Sequence, residues 1–373
     1  MRIAYVYDVV YPYVVGGVQK RIREVAKRLA LKGHEVTVLG MKYWEGEDII
    51  YDEGVRLWGV CPPQRLHVNG HRSARAALYF SWKVLSPLLK EKFDVIDCQN
   101  FPYFPCFSAK LASLVRGSTL IVTWHEVWND YWFEYLGKKG LMGKAVERMV
   151  AHLNSRPVAN SEATRRGLEK IGGGKGVRVI SSGVNLEKAG EMVDSPECSD
   201  VLFVGRLARE KNVDLLVKAV SCAKRDMPGI RCLIIGDGPE RKNLEALISQ
   251  LGLEASICLK GFEEREERVF AWMKASKVLV LPSTREGLGL VVLEANACGL
   301  PVVTVKHPLN AACDLISDGE NGFKCELSEQ DMAEKILMTL KCQNNWKARC
   351  PAFAKEYDWN SIADSLEEVY ASS

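Results

Sequence analysis

The stretch LPSTREGLGLVVLEANACGLPVV, residues 281–303, determines how the rest of the chain is interpreted. An apolar strand pattern ends at its first residue, and a helix is predicted to begin near Gly289. A helix N-terminus presents unpaired backbone N–H groups and a positive dipole end, which together suit a phosphate or diphosphate. Glu286 precedes this helix and Glu294 lies inside it, so their carboxylates can converge on one ligand from different heights. Because carboxylates accept hydrogen bonds from vicinal hydroxyls, the stretch predicts a ligand with sugar rings around a diphosphate.

Two glutamates eight residues apart carry little weight alone, because 47 acidic residues in 373 produce such spacings by accident. Gly287 and Gly289 between them let the backbone approach a ligand closely, since neither has a Cβ atom. Together with the segment 297–303, the stretch resembles the donor-site signature of retaining GT-B glycosyltransferases of the family 4 type. The resemblance implies that the donor is bound by Gly287, Leu288, Gly289, Leu290, Val291 and Glu294.

The composition indicates a globular protein of two domains, since the chain has 373 residues and 47% of them are hydrophobic. Its twelve cysteines are scattered without C-x-x-C or metal-ligand spacing, which favours a reduced compartment and predicts no metal site. The N-terminus passes directly into a strand pattern, no N-x-S/T acceptor occurs, and no apolar run reaches the roughly 18 residues of a membrane span. We therefore expect a cytoplasmic protein, either soluble or peripheral on the inner face of the cell membrane.

The charge is unevenly divided along the chain. Residues 1–180 carry 27 Lys and Arg against 17 Asp and Glu, a net +10, and the remainder carries a net −7. This division favours an anionic partner for the first half, and a basic solvated face that serves only solubility is an equally weighted alternative. No motif indicates a nucleic-acid partner.

The segment 72–90 is predicted to be a basic helix with aromatic side chains. The basic and aromatic residues that cluster in its first part, with one arginine before it, are Arg65, Arg72, Arg75, Tyr79, Phe80, Trp82 and Lys83. Such a helix suits the surface of an anionic membrane, so we expect the first domain to bind the cytoplasmic leaflet reversibly and to reach a lipid-linked acceptor there. Alternatively, Phe80 and Trp82 pack on the sheet, the arginines are solvated, and the acceptor is a small soluble carbohydrate.

Strand and helix patterns alternate along the chain, which predicts the α/β class with doubly wound parallel sheets. The first such unit is a strand at 2–7, a helix at 18–32 and a strand at 35–40. The alternation resumes after a polar segment, and the resemblance implies GT-B, two Rossmann-like domains facing across a cleft. The predicted parts are an acceptor-binding N-terminal domain at 1–182, a linker at 183–199, a nucleotide-sugar-binding C-terminal domain at 200–355 and a C-terminal helix at 356–373 that crosses back to the first domain.

Ligands of open α/β sheets bind at the carboxyl ends of the strands, so the loops after the strands are candidate sites. Arg206 follows the first strand of the second domain and Lys211 comes five residues later, where two cations can neutralise a diphosphate without a metal. The alternative is a pair of surface charges, but the segment resembles the family's diphosphate motif. Gly236 and Gly238 form a predicted tight turn lining the donor site. Arg241 stands where a dinucleotide fingerprint needs its third glycine, so no nicotinamide cofactor is indicated.

Other loops contain further candidate contacts. Phe262 follows another strand at the family's nucleobase position, and ordinary packing is the alternative. In the first domain, Gly16 and Gly17 allow backbone amides to meet the donor phosphate or the acceptor, and Gln19 supplies a side-chain amide to the acceptor; a flexible turn is the alternative. This GGVQ segment is similar to the motif of phosphatidylinositol mannosyltransferases. Asn100, in the loop after a later strand, is similarly placed for the acceptor.

His125 ends a predicted strand, and a structural histidine is the alternative to a functional one. It occupies the family's recurrent histidine position, which implies contact with the primary hydroxyl of the donor sugar near the reaction centre. The segment 306–310, KHPLN, departs from the family, where many members carry a glycine-rich turn and a glutamate, so the donor sugar is not assigned. Ser161 is predicted to cap the helix that follows it.

The resemblance covers nearly the whole chain and implies a retaining, metal-independent hexosyltransferase that uses a nucleotide-diphosphate sugar as co-substrate and no cofactor. It implies front-face attack by an acceptor hydroxyl, with the leaving phosphate taking the proton. Glu286 would orient the donor sugar, and Glu294 would hold the ribose hydroxyls. Arg206 and Lys211 would stabilise the diphosphate. Two alternatives stay open, a catalytically silent sugar-nucleotide-binding protein and a GT-B epimerase.

Overall fold

The structure is a computed structural model and describes residues 1–68, 71–153, 155–173, 176–191, 195, 198–342 and 345–372. The chain forms two compact units. Unit 1 comprises Met1–Ser182 and Trp359–Ser373, and unit 2 comprises Gly183–Asp358. Each unit is built on a parallel sheet with helices between its strands, so the predicted α/β class is confirmed.

The strands of the described chain are β1 (Arg2–Val6), β2 (Glu35–Met41), β3 (Ile49–Asp52), β4 (Val55–Cys61), β5 (His67–Val68), β6 (His71–Arg72), β7 (Val95–Gln99), β8 (Thr119–Trp124), β9 (Arg156–Ala159), β10 (Arg178–Val179), β11 (Ser199–Val204), β12 (Cys232–Ile235), β13 (Ile257–Gly261), β14 (Ser276–Leu281), β15 (Val302–Val305) and β16 (Gly322–Cys325). The α-helices are α1 (Gly17–Leu31), α2 (Ala74–Lys90), α3 (Phe104–Arg116), α4 (Tyr131–Leu136), α5 (Gly140–Ala151), α6 (Glu162–Lys170), α7 (Leu186–Glu191), α8 (Val213–Ala223), α9 (Arg241–Gln250), α10 (Glu266–Ala275), α11 (Leu290–Ala297), α12 (Glu329–Lys341), α13 (Trp346–Ala354) and α14 (Trp359–Ala371).

The main sheet of unit 1 has the order β10-β9-β8-β7-β1-β2-β4-β3, and its neighbouring strands are parallel except for the antiparallel pair β3–β4. Side chains of β1 alternate between its two faces, as a strand requires. Ile3 and Tyr5 join the core that contains α1 and α14, whereas Ala4 and Val6 join the core that contains α2 and α3. Both faces are therefore buried, which explains why the strands are apolar throughout.

The sheet of unit 2 has the order β13-β12-β11-β14-β15-β16, and all neighbouring strands are parallel. The direction of winding reverses between β11 and β14 in this sheet and between β1 and β7 in unit 1. At such a switch point the two flanking loops diverge and leave a crevice at the carboxyl edge, where ligands of open α/β sheets bind. The loops after these four strands therefore define the candidate site.

Residues 183–199, predicted to be a linker, belong to unit 2. This stretch contains α7, and Val184 is buried with its N–H donating to the carbonyl oxygen of Tyr357 at 2.8 Å. Residues 192–194 and 196–197 of the predicted linker lie outside the described residues. Of the described apolar side chains in this stretch, Val184 and Ala189 are buried in the unit 2 core and Leu186 packs against it.

The C-terminal helix α14 is part of unit 1. It packs on α1, and Trp359, Leu366 and Tyr370 are fully buried in the same core as β1. Polar contacts at the rim add to this packing, including Arg28 Nε donating to Asn360 Oδ1 at 2.9 Å. Among the described residues, no helix is both long enough and apolar enough to cross a membrane.

Candidate functional site

The central feature of unit 2 is an ion pair between two residues that the sequence analysis selected separately. Lys211 Nζ lies 2.5 Å from Glu286 Oε1, and their side chains are only 20% and 12% exposed. Lys211 comes from the loop after β11 and Glu286 from the loop after β14, which are neighbouring strands at the switch point. The topology of the sheet therefore places a cation and a carboxylate together at its carboxyl edge.

The loop after β14 is held against the loop after β11. Asn212 adopts a left-handed conformation with φ 46° and donates from Nδ2 to the carbonyl oxygen of Pro282 at 3.2 Å and to Thr284 Oγ1 at 3.1 Å. The backbone N–H of Thr284 donates to the carbonyl oxygen of Glu210 at 3.0 Å. These bonds fix the backbone on both sides of the Lys211–Glu286 pair.

A third loop, after β15, holds Glu286 from the other side. The N–H of Glu286 donates to the carbonyl oxygen of Leu309 at 3.0 Å, and the N–H of Ala311 donates to the carbonyl oxygen of Glu286 at 2.9 Å. Asn310 is buried and donates from Nδ2 to the carbonyl oxygen of Val305 at 2.7 Å. Asn310 belongs to the segment that departs from the family pattern, so the sequence analysis missed its supporting role.

Gly289 precedes α11 and must be a glycine in this arrangement. Its φ is +89°, and an added Cβ would lie 2.8 Å from the Cβ of Ala312. Leu288 is buried and Leu290 and Val291 pack against the core, so these residues have only their backbone to offer a ligand. Glu294 is half-buried, one turn inside α11.

Gly236 and Gly238, predicted to line the donor site, have a packing role. A Cβ on Gly236 would lie 1.9 Å from the carbonyl oxygen of Gly205, and one on Gly238 would lie 2.3 Å from that of Leu207. The two glycines therefore let the loop after β12 lie against the loop after β11, which carries the exposed Arg206. Phe262 follows β13 and is 63% exposed, so ordinary core packing does not explain it.

In unit 1, His125 follows β8 and is held by two residues at the end of β7. Its backbone N–H donates to Asn100 Oδ1 at 3.0 Å, and its Nε2 lies 2.8 Å from Gln99 Oε1. Burial, and secondarily the charge of Arg21, lower the pKa of His125 to about 3. The imidazole is therefore neutral at physiological pH and can act as a hydrogen-bonding group rather than a cation.

Two residues predicted to contact the acceptor are buried in unit 1. Asn100 is buried, and while its Oδ1 accepts from His125, its Nδ2 donates to the carbonyl oxygen of Glu126 at 3.2 Å, so both ends of its amide are occupied. Gln19 is also buried, and its Oε1 lies so close to Gly16 that a Cβ there would be 2.6 Å away. Asn100 thus holds the backbone of His125, and Gly17 is exposed at the start of α1.

An ion pair that the sequence analysis missed lies in the loop after β1. Arg72 Nη2 is 2.5 Å from Asp8 Oδ2, and Asp8 is completely buried. Arg72 therefore does not belong to an exposed basic surface, as the membrane hypothesis assumed. The sequence signal that could have identified this pair is the aspartate directly after the first strand, because that position lies at the switch point.

An apolar cavity of about 270 Å³ adjoins Arg72 in unit 1. It lies between the start of α2, the loop after β7, and α4 and α5; its walls include Phe101, Tyr103, Trp132, Tyr135 and Met142. The aromatic residues after His125 therefore shape this cavity as well as the core. Of the basic helix α2, Phe80 is buried against the sheet, as the alternative expected, whereas Trp82 is 68% exposed.

Two smaller observations complete the description of the site. The Ser161 hydroxyl accepts from the backbone N–H of Thr164 at 3.2 Å, so the predicted helix cap is confirmed. Within the residues that the structure describes, no cluster of three or more His, Cys, Asp or Glu side chains is placed to hold a metal ion.

Two family models match the chain in succession. The model described as Glycosyltransferase Family 4 matches residues 15–188, and the model described as Glycosyl transferases group 1 matches residues 195–369. Among relatives, the alpha-D-kanosaminyltransferase of Streptomyces kanamyceticus is 31% identical over 46% of this chain and 45% of its own length. The phosphatidylinositol N-acetylglucosaminyltransferase gpi3 subunit of Schizosaccharomyces pombe is 22% identical over 96% of this chain and 78% of its own length.

The match thus spans less than half of the first relative and most of the second. Among solved structures, Anabaena HepE in complex with UDP-glucose superposes with a TM-score of 0.77 at 21% identity, with 100% of both chains covered. That likeness shows the GT-B fold, and the two family models together match nearly the whole chain. The chain therefore belongs to the group 1 glycosyltransferases of the family 4 type.

Proposed function

We propose that this enzyme transfers a hexosyl group from a nucleotide-diphosphate sugar to a hydroxyl acceptor, with retention of the anomeric configuration and without a metal ion. The observation that carries the proposal is the Lys211–Glu286 pair at the switch point of unit 2, next to the start of α11. A cation, a carboxylate and backbone N–H groups at one edge of a sheet are the groups that a diphosphate bearing a hydroxylated sugar requires.

Each group has a distinct part in donor binding. Lys211 turns from Glu286 to the diphosphate, and Glu286 then accepts a hydrogen bond from a sugar hydroxyl. Arg206, exposed in the same loop as Lys211, supplies a second positive charge. Glu294 binds the ribose hydroxyls, and the exposed ring of Phe262 contacts the nucleobase. HepE is solved with UDP-glucose, so uridine nucleotides are the first donors to test.

The proposed transfer step uses these contacts. The acceptor hydroxyl attacks the anomeric carbon on the face from which the diphosphate leaves, the bond to the phosphate oxygen breaks, and that phosphate takes the acceptor proton. Lys211 and Arg206 stabilise the negative charge that develops on the leaving group, which supports a reaction without a metal ion or other cofactor. The neutral His125 contacts the primary hydroxyl of the sugar, in keeping with its low pKa.

For the acceptor, we favour a hydroxyl on a lipid-linked molecule over a small soluble carbohydrate. The apolar cavity beside Arg72 offers aromatic walls to an apolar group, and unit 1 contains the whole of the basic segment 1–180. The gpi3 relative is named for phosphatidylinositol, an anionic lipid with free hydroxyls. Such an acceptor places the enzyme on the inner face of the cell membrane during turnover.

The test combines binding with turnover. A thermal-shift panel of nucleotides identifies the donor base, since a ligand at a hundredfold its Kd stabilises the protein by about 2.7 kcal/mol. Transfer to lipid and soluble acceptors is then followed with the matching sugar nucleotides, and NMR assigns the anomeric configuration of the product. We expect retention and full activity in EDTA.

Four outcomes contradict the proposal. An inverted product excludes the front-face mechanism. Loss of activity in EDTA that Mg²⁺ or Mn²⁺ restores excludes metal independence. Nucleotide binding without transfer indicates the silent binding protein, and conversion of the donor sugar in the absence of any acceptor indicates the epimerase.

A further inference from the structure

A chain of buried hydrogen bonds in unit 1 connects the C-terminal helix to His125. The Tyr370 hydroxyl on α14 donates to Asp97 Oδ2 at 2.6 Å, and Gln99 Nε2 donates to Asp97 Oδ1 at 3.0 Å. His125 Nε2 lies 2.8 Å from Gln99 Oε1 at the other end of the same amide. Asp97 and Gln99 are two residues apart on β7, so both side chains point to the same face of the central strand.

The donors around Asp97 determine which way the Gln99 amide faces. Asp97 also accepts from Thr123 Oγ1 at 2.7 Å, and the charge of the buried Arg21 opposes the rise that burial causes in the pKa of Asp97. Burial and the nearby Asp97 raise the pKa of Tyr370 well above its usual range, so its hydroxyl keeps its proton and donates. In all three of these bonds Asp97 is the acceptor, and Tyr370, Thr123 and Gln99 are the donors.

The orientation of the Gln99 amide in turn determines which ring nitrogen of His125 carries the proton. Because Gln99 presents its NH₂ group to Asp97, it presents its carbonyl oxygen to His125. A carbonyl oxygen only accepts, so a hydrogen bond at this position requires the proton on Nε2 of the ring. The other ring nitrogen, Nδ1, then carries a lone pair and has no partner among the described residues.

We propose that Gln99 is a positioning residue that fixes His125 in the Nε2–H tautomer, and that Asp97 and Tyr370 act on His125 through Gln99. The inference rests on the proposed function, in which His125 contacts a hydroxyl of the donor sugar. With Nδ1 as an acceptor, the enzyme selects donors that offer an O–H group at that place. An analogue with a methyl group there, a 6-deoxy sugar for a hexose, leaves Nδ1 unpaired and is rejected.

The tautomer is measured directly in the full-length protein labelled with ¹⁵N-histidine. The chain has six histidines, so the His125→Phe spectrum identifies the His125 signals by their absence. We expect a protonated, pyrrole-like signal for Nε2 and an unprotonated, pyridine-like signal for Nδ1. The opposite assignment in the wild-type protein overturns the proposal. This measurement needs neither a donor nor an active enzyme.

Variants then test whether the tautomer of His125 depends on the buried hydrogen bonds. Gln99→Met keeps the side-chain length and removes the amide, and we expect mixed tautomers with kcat lowered about tenfold and the Kd of the nucleotide unchanged. Wild-type kcat and an unchanged tautomer in this variant overturn the role of Gln99. If Gln99→Met does not fold, the wild-type spectrum and the tyrosine pair below still decide the question.

A matched pair of tyrosine variants tests the end of the hydrogen-bond series that lies farthest from His125. Tyr370→Phe removes a donor to Asp97, whereas Tyr5→Phe removes a hydroxyl that lies 2.9 Å from that of Tyr370 and forms no hydrogen bond with Asp97 among the described residues, although Tyr5 pairs with Asp97 across β1 and β7. We expect kcat to fall about threefold to fivefold in Tyr370→Phe and to stay within about twofold of wild type in Tyr5→Phe. Equal effects of the two variants contradict an action through Asp97. Unimpaired transfer by His125→Phe would instead refute the proposed sugar contact and leave the tautomer result intact.

Discussion

Lys211 and Glu286 are 75 positions apart in the chain, and their ion pair exists because β11 and β14 are neighbours in the unit 2 sheet. Ion pairs of fully exposed side chains contribute little, whereas a pair this buried leaves a costly unpaired charge when one partner is removed. A donor that separates the two groups must therefore replace both halves of the pair. This requirement favours a ligand with an anionic part for the lysine and a hydroxylated part for the glutamate.

We predict that Glu286→Gln lowers kcat about a hundredfold, which corresponds to the loss of a transition-state interaction of about 3 kcal/mol. Glu294→Gln should act mainly on donor affinity, because ribose contacts are equally strong before and during transfer. Steady-state kinetics and nucleotide titration separate the two effects. Glu245→Gln is the control, since Glu245 pairs with Arg241 on the exposed face of α9. Wild-type kcat in Glu286→Gln would show that the carboxylate does not take part in the transfer.

A comparison of Gly289 with a second glycine separates the cost of placing a side chain in the left-handed conformation from the cost of close packing. Gly289→Ala forces a Cβ into a φ of +89° and against Ala312, whereas Gly319→Ala has a φ of +80° and nothing within 4 Å of the new atom. We expect Gly319→Ala to lower the free energy of unfolding by about 1 kcal/mol and Gly289→Ala by about 2 to 4 kcal/mol, because overpacking adds to the strain.

Urea unfolding and nucleotide titration measure the two costs of Gly289→Ala. Only this variant should also weaken nucleotide binding, since it displaces the start of α11. Equal losses of stability in both variants, with full nucleotide binding in each, would show that the close approach at Gly289 is not needed.

The secondary-structure elements differ in how well the sequence predicts them, and burial explains the difference. The sequence predicts β8 at its observed bounds, Thr119–Trp124, because a parallel strand buried on both faces is a short apolar run. It gives no prediction for β3, an edge strand that pairs antiparallel with β4 and has no buried residue. It also misses α4, whose six residues are too few to show a helical period.

The same distinction applies to the candidate site. The sequence identifies the loops that carry the site, because those loops follow recognisable strands. It does not reveal which polar groups in them are already hydrogen-bonded: Asn100 and Gln19 belong to the predicted motifs, yet both are buried, and both ends of the Asn100 amide have partners within unit 1. Hydrogen-bond partners distant in the chain, such as Tyr370 for Asp97, appear only in the folded unit.

The C-terminal helix α14 is held in unit 1 by Trp359, which is completely buried and whose indole N–H has no hydrogen-bond partner among the described residues. We predict that Trp359→Ala lowers the free energy of unfolding by about 3 to 5 kcal/mol, because it leaves a large cavity. Trp359→Phe should cost less than about 1.5 kcal/mol, since losing an unsatisfied N–H offsets part of the lost volume. Urea unfolding of both variants checks this, and a large loss in Trp359→Phe would reveal a partner for the indole.

At the scale of the whole molecule, net positive charge and exposed apolar side chains are concentrated in the first half of the chain. Residues 1–180 carry a net +10, and α2 displays the exposed Leu78 and Trp82 together. The Lys83 ammonium lies 4.7 Å from the centre of the Trp82 ring, so a cation and an aromatic face form one surface. Aromatic and basic side chains in this combination suit the interface of an anionic membrane.

We predict that the protein binds anionic liposomes at low salt and neutral liposomes weakly, with each basic residue near the surface contributing about 1 kcal/mol. Arg65 and Arg75 are exposed and contribute, whereas Arg72 does not, because it is paired with the buried Asp8. Trp82→Ala should weaken binding. Tyr51→Ala is the matched control, since Tyr51 is a 73% exposed aromatic residue of unit 1 outside α2.

Co-sedimentation with liposomes of both compositions measures these affinities, and added salt should reduce them because screening weakens attraction between exposed charges. Equal and negligible binding to both compositions at low salt would refute the membrane hypothesis and favour a soluble acceptor. Equal losses in Trp82→Ala and Tyr51→Ala would move the contact away from α2 while leaving the attraction of the basic half intact. Neither result bears on glycosyl transfer itself, because the Lys211–Glu286 pair lies in unit 2 and these residues lie in unit 1.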